Sequence, residues 1–341
     1  MNIKGIYQEL INNGFYKNIS IKICKEEKND DSIEIPEKCN DRLSGIEKIN
    51  VVEGFDIYIS PCRIGRKSKY CSNKIVDCSL IKDNETNCPI CFVINDTIIN
   101  PCLPLNSKIK VTLNDNFLLL PNAYPYLEHQ FLITTNTHYK QMNVFINDVF
   151  INELFTIFLQ ILNYDDVLFF NGICGNSLEH FHCQYTTSQF PFLQQLEKTF
   201  SGFYNIYPFR AYVLNTSDYT DMLTLINKIN DKGLTFNFIT RKSNESTLQI
   251  IFFIRNCISD GSTLDLNFGA TELSGIIVGT NINDITIFTK ENIDNYINLT
   301  NNITNYIDLT GGEKIKKNLK KSKIAKYSKN KRKYSKKNNY R

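Results

Sequence analysis

The residues able to do chemistry are concentrated in positions 169–184, which read FFNGICGNSLEHFHCQ. Here His180, Phe181, His182, Cys183 and Gln184 alternate polar with apolar, so an extended backbone turns His180, His182 and Gln184 to one side. Three polar groups then face one substrate. An imidazole at the centre of such a row can attack phosphorus as a neutral nucleophile and store a nucleotidyl group covalently, while its neighbours hold it in place. The third position is an amide, which cannot hand a proton to a poor leaving group. That points to a good leaving group, a sugar phosphate or nucleoside polyphosphate, and to transfer or phosphorolysis over hydrolysis. The same alternation also suits a half-buried strand with no catalytic part.

The residues before that row favour the chemical reading. Asn171, Gly172, Gly175, Asn176 and Ser177 make a small-residue turn, the kind of backbone that lets amide N–H groups and a hydroxyl approach phosphate oxygens. Upstream, Cys88 and Cys91 form a Cys-x-x-Cys whose spacing suits two thiolates on one tetrahedral zinc, with two further ligands required. A reduced, metal-free pair in a turn is the competing reading.

The His-x-His-x-Gln pattern, with its preceding Asn, Gly and Ser, resembles the galactose-1-phosphate uridylyltransferase-like branch of the histidine-triad superfamily. That branch includes dinucleoside polyphosphate and GDP-hexose phosphorylases. The segment 121–140, PNAYPYLEHQFLITTNTHYK, is similar to the family's first-half strand and the His-containing turn after it. The likeness spans roughly residues 55–300. It implies His182 as the nucleophile, Gln184 bonded to the transferred phosphate, and Asn171, Gly175 and Ser177 as substrate contacts. It also implies a structural zinc on Cys88, Cys91, His138 and His180, closed and without an open position. The substrate it implies is a nucleotide sugar or a dinucleoside polyphosphate.

Elements that must position these groups are legible as periodicities. Short runs rich in aromatic and branched residues at 55–60, 117–120 and 129–135 predict strands. Positions 148–162 place Val149, Phe150, Leu154, Phe158 and Ile161 at helical spacing, with Asp148 as N-cap. A short apolar strand at 167–170 then leads into the His row. Strands at 209–214, 234–240 and 248–255, the last two a hairpin, flank a helix at 218–232, and a strand at 275–279 and a helix at 289–299 follow. The expected fold class is α+β, an antiparallel sheet with packed helices, histidine-triad-like, with a diverged tandem duplication left open by the recurring order of elements. The expected layout is an N-terminal extension at 1–50, a catalytic half at 51–200, a second α+β half at 201–312 and a disordered basic tail at 313–341.

Composition sets the outer bounds. Of 39 Lys and Arg in 341 residues, 14 lie in 314–341 with no acid, leaving 25 basic against 35 acidic residues in the body. An acidic body argues against broad nucleic-acid binding by the folded part, whereas the tail could contact a polyanion or serve nuclear localisation. A catalytically inactive nucleotide- or RNA-binding protein of the same fold is therefore the competing function, and a solubilising tail the plainer reading of those residues. The first twenty residues do not read as a signal peptide, and no apolar run reaches the roughly 18 residues of a membrane span. Eleven cysteines in such a chain read as reduced thiols and metal ligands in a cytoplasmic protein. Arg63, Arg66, Lys67 and Lys69 read as a solvated loop, and His129 as a structural histidine at a strand end.

Overall fold

Short apolar runs bounded by turn residues assemble into one nine-stranded antiparallel sheet, which carries every expected strand near the His row. The computed structural model describes residues 1–13, 15–16, 43, 46–49, 54–60, 88–94, 110–122, 125–173, 178–205, 209–255, 268–279 and 289–305. The basic cluster at 63–69 and the tail at 313–341 lie outside the described residues. In chain order the elements are α1 (Ile3–Asn12), β1 (Glu47–Ile49), β2 (Asp56–Ile59), α2 (Pro89–Ile94), β3 (Val111–Thr112), β4 (Phe117–Pro121), β5 (Phe131–Thr135), α3 (Asp148–Ile161), β6 (Val167–Phe170), β7 (His182–Thr186), β8 (Gly202–Asn205), β9 (Arg210–Thr216), α4 (Tyr219–Asn230), β10 (Thr235–Asn244), β11 (Thr247–Arg255), α5 (Ala270–Leu273), β12 (Ile276–Gly279) and α6 (Lys290–Asn305).

The large sheet runs β3-β4-β5-β7-β6-β10-β11-β9-β8. Read as β4, β5, α3, β6, β7 and then β8, β9, α4, β10, β11, the two halves use the same order of elements and the same strand adjacency. They join where β6 pairs antiparallel with β10, Phe170 opposite Phe238. The recurrence seen in the sequence is thus a repeated topology. A smaller sheet, β1-β2-β12, pairs β2 in parallel with β12.

Each face of the large sheet has its own cover. On one face α3 lays Phe150, Leu154, Phe158 and Ile161 inward, and α4 packs on α3 and on β9 and β10. The Asn147 side chain caps α3 by accepting from the N–H groups of Val149 and Phe150. Asp148 is therefore the first helical residue and not the cap, and Val149, one step off the buried stripe, is 60% exposed. On the opposite face the small sheet and the 3-10 turn Pro191–Gln195 bury Ile57, Phe192 and Ile277 with Phe169, Ile239, Ile251 and Phe253. Among the described residues no helix is long and apolar enough to cross a membrane.

An aromatic cluster closes the seam between the halves. Phe145 lies 4.7 Å from Phe170 of the first half and 5.5 and 5.8 Å from Phe236 and Phe238 of the second, by ring centroids. It is fully buried. Removing so large a buried ring sacrifices transfer free energy and leaves a cavity, so Phe145→Ala is expected to lower stability by about 3–5 kcal/mol, measured by urea denaturation.

Candidate functional site

β7 is held on both sides, which fixes its register and therefore which side chains leave each face. Thr134 and Leu132 of β5 lie opposite His182 and Gln184, while Phe169 and Phe170 of β6 lie opposite Gln184 and Cys183. Continuing that register by one residue sets Asn171 opposite His182. Phe181 goes to the helical face, where it meets Phe145 and Phe170. His182 and Gln184 go to the other face. His180 precedes the strand and makes an isolated bridge with Lys140; its ring turns to the cysteine pair.

The state of the His182 ring is set by its partner. Its Nδ1 lies 2.8 Å from the His180 carbonyl oxygen. A carbonyl oxygen only accepts, so Nδ1 carries the hydrogen, and a neutral ring then keeps its lone pair on Nε2. Where β6 stops at Phe170, the backbone of His182 would lose its ladder partner, and Gln141 takes that place. The His182 N–H donates to Gln141 Oε1 at 2.9 Å, and Gln141 Nε2 donates to the oxygens of Asn171 and His182 at 2.9 and 3.3 Å.

Cys88, Cys91, His138 and His180 form a group whose ligand atoms all lie within 4.8 Å of one another, a cluster that could hold a metal ion. His180 Nδ1 is 3.3 Å from both sulfurs, and His138 Nδ1 is 3.2 Å from Cys91 Sγ. The Cys91 N–H points at Cys88 Sγ, 3.4 Å away. On its far side His180 Nε2 donates to the oxygens of Thr135, the carbonyl at 3.2 Å and the hydroxyl at 3.1 Å. Nε2 thus carries the hydrogen and Nδ1 offers its lone pair to the sulfurs, the tautomer a metal needs. Burial pushes the His180 imidazole down to about 3. The cysteines are seated against Leu118 and Leu120 of β4.

The remaining candidates divide. Asn171 holds the start of α5, its Oδ1 accepting from the Ala270 N–H at 2.7 Å. Gly172 must be glycine because a Cβ there would collide with the Phe236 carbonyl oxygen; its N–H donates to Asn237 Oδ1 at 2.8 Å. Gly175 and Ser177 lie outside the described residues. Arg255 Nη1 donates to the Phe268 oxygen at 2.6 Å and Glu272 Oε2 accepts from Gly269 N–H at 2.9 Å, so both shape the 268–273 segment. Gln130, Asn122, Gln141 and Asn237 carry no sequence signal: each is a lone amide whose importance appears only when the strands are brought together.

No protein-family model matches the chain, and no curated protein matches its sequence. Among solved structures it is similar to yeast Ap4A phosphorylase Apa2 in complex with Ap4A, at 14% identity over 83% of this chain and 96% of that one, TM-score 0.47. It is also similar to the same protein in complex with AMP, at 12% identity over 75% and 86%, TM-score 0.39. A DUF4931 family protein from Bacillus cereus matches at 16% identity over 53% of this chain and 100% of that one, TM-score 0.36.

The depressed His180 pKa has a thermodynamic consequence. In the unfolded chain His180 takes up a proton near 6.5, and in the folded chain only near 3. Between those values the unfolded state binds more protons, so the stability of the metal-free protein falls as pH drops from 6.5, by at most about 1.4 kcal/mol per pH unit from this group. His129, also lowered by burial, acts in the same sense. Urea denaturation at pH 7.0, 5.5 and 4.5 should show the decline, and His180→Gln should flatten it.

Proposed function

We propose that the protein transfers a nucleoside monophosphate from a nucleotide sugar or dinucleoside polyphosphate through a covalent nucleotidyl-histidine at His182. The observation that carries this is the bond from His182 Nδ1–H to the His180 carbonyl, which leaves the Nε2 lone pair as the ring's reactive end. The resemblance to the galactose-1-phosphate uridylyltransferase-like branch supports the same assignment.

In the first step Nε2 forms a bond to phosphorus as the bond from phosphorus to the leaving oxygen breaks, and the electron pair departs with that oxygen. The ring becomes cationic, and its Nδ1–H bond to the His180 carbonyl strengthens as charge develops. Gln184 has no acidic proton to give, which suits a leaving group that departs as a phosphate. In the second step an oxygen of inorganic phosphate or of a sugar phosphate attacks the same phosphorus, and His182 leaves as the neutral ring. Asn171, opposite His182 by register, supports this reading, in which Gly175 and Ser177, the residues that the resemblance assigns to the substrate, complete the phosphate contacts.

Zinc is the ion assigned to Cys88, Cys91, His138 and His180. Bonds of about 2.3 Å to sulfur and about 2.0 Å to nitrogen set tetrahedral sulfur and nitrogen ligands about 3.5 Å apart, and the Cys–His separations approach that. With four protein ligands, such an ion supplies rigidity to the approach of β7 and presents no open position to substrate.

Two measurements test these statements. Intact-protein mass spectrometry after incubation with UDP-hexoses, GDP-mannose and diadenosine tetraphosphate should reveal a mass increase of one nucleoside monophosphate, absent in His182→Ala. Equal labelling of both proteins would overturn the nucleophile assignment. Elemental analysis should find close to one zinc per chain, lost in Cys88→Ser with Cys91→Ser; a full complement in that double variant would refute the site.

A further inference from the structure

We propose that Gln130 is a positioning residue that holds the Gln184 carboxamide with its NH2 group toward the transferred phosphoryl, so that this wall of the site donates to anionic oxygen. The proposal rests on the nucleotidyl-transfer reading for its catalytic consequence, and on hydrogen-bond logic for its geometry.

That logic starts from the backbone. The N–H groups of Tyr126 and Leu127 both point at Gln130 Oε1, at 2.9 and 3.3 Å. Backbone amides only donate, so the oxygen end of Gln130 is fixed by its surroundings and its Nε2 must donate elsewhere. It does so to Gln184 Oε1 at 2.7 Å, and Asn122 Nδ2 adds a second donor to the same oxygen at 3.3 Å. Both lone-pair directions of Gln184 Oε1 are then occupied. The NH2 end remains for a ligand, and among the described residues nothing accepts from it.

Burial makes this orientation matter. Gln130 is 0% exposed and Asn122 and Gln184 are 6% and 9% exposed, so water does not replace a lost partner readily. A freely rotating carboxamide would present its oxygen to phosphate as easily as its NH2, and the oxygen repels an anion. The bend that delivers Gln130 is itself held under strain: His129 adopts a left-handed φ of 47° and its Nδ1 meets Thr187 Oγ1 at 2.7 Å. Conformations of this kind persist only where the surroundings enforce them.

Gln130→Glu tests the relay, because a carboxylate still accepts from Tyr126 and Leu127 but no longer donates to Gln184. The Gln184 amide then reverses to donate to Glu and turns its carbonyl to the phosphoryl group. The rate of nucleotidyl-adduct formation with the substrate that labels the wild type should fall about 100-fold, the scale of losing one donor to a transition-state oxyanion. In a Gln184→Ala background the same change should cost nothing further, since Gln130 acts only through Gln184. An equal loss in both backgrounds, or wild-type labelling by a folded Gln130→Glu protein, would overturn the proposal. A second readout needs neither turnover nor a variant. In isotope-labelled wild-type protein, a coupling across the hydrogen bond should link Gln130 Nε2 to Gln184 Cδ, and its absence or a coupling in the reverse direction would overturn the orientation. Should the wild type label with no substrate, only the transfer reading fails, and the coupling still decides the role of Gln130.

Discussion

The site depends on the double duty of one residue. The ring of His180 faces two cysteines, and its carbonyl oxygen receives the Nδ1–H of His182. The ring and the carbonyl of this one residue thus serve the cysteine cluster and the His182 ring together. A chain of contacts therefore runs from Leu118 and Leu120 through the cysteine pair to His180 and on to Nε2 of His182. The links from the sulfurs to the His180 ring and from its carbonyl to His182 are buried and directional, which is how a flexible imidazole becomes a group aimed in one direction.

Polar side chains at the centre of a sheet are tolerated here because each has a partner. An orphaned buried donor or acceptor costs about 1–3 kcal/mol, and His182, Gln184, Gln141 and Gln130 would together bring many. Gln141 absorbs the backbone groups that β6 leaves behind, and Gln130 absorbs two N–H groups of the 126–130 bend. The same bonds set the tautomer of the His182 ring and the orientation of the Gln184 carboxamide. The network that makes burial affordable also sorts donors from acceptors.

Periodicity explains which parts were readable in the sequence. The strand at 167–170, the helix at 148–161 and the hairpin of β10 and β11 follow apolar spacing that burial alone enforces, and they stand within a few residues of expectation. The His row was legible for the same reason, since alternation on a strand is a two-residue pattern. Its limit was His180: the pattern aligned three side chains, whereas the strand begins only at His182 and the first ring turns aside to the sulfurs. The helix cap moved from Asp148 to Asn147 because either side chain can accept, and only the local backbone decides. Gln130 and Gln141 were invisible because a lone amide in an irregular stretch has no period, and the strand residues they serve, Gln184 and His182, lie 54 and 41 positions away.

The repeated topology sharpens the question of why the polar row occupies one half. β11 stands between β9 and β10 as β7 stands between β5 and β6, so the second half offers an equivalent strand. On the face that bears His182 and Gln184 in the first half, β11 presents Ile251 and Phe253, which pack beneath the small sheet and the 3-10 turn. Gln249, on the same face, is used to bind Arg241 and the oxygen of Glu197. A cover that buries apolar side chains leaves no opening for a phosphate and no reason for a donor. The polar row of β7 lies where unpaired backbone groups recruit the amides of Gln130 and Gln141. The asymmetry of side-chain character between β7 and β11 thus follows from what packs on each strand, and the strand order itself is indifferent to it.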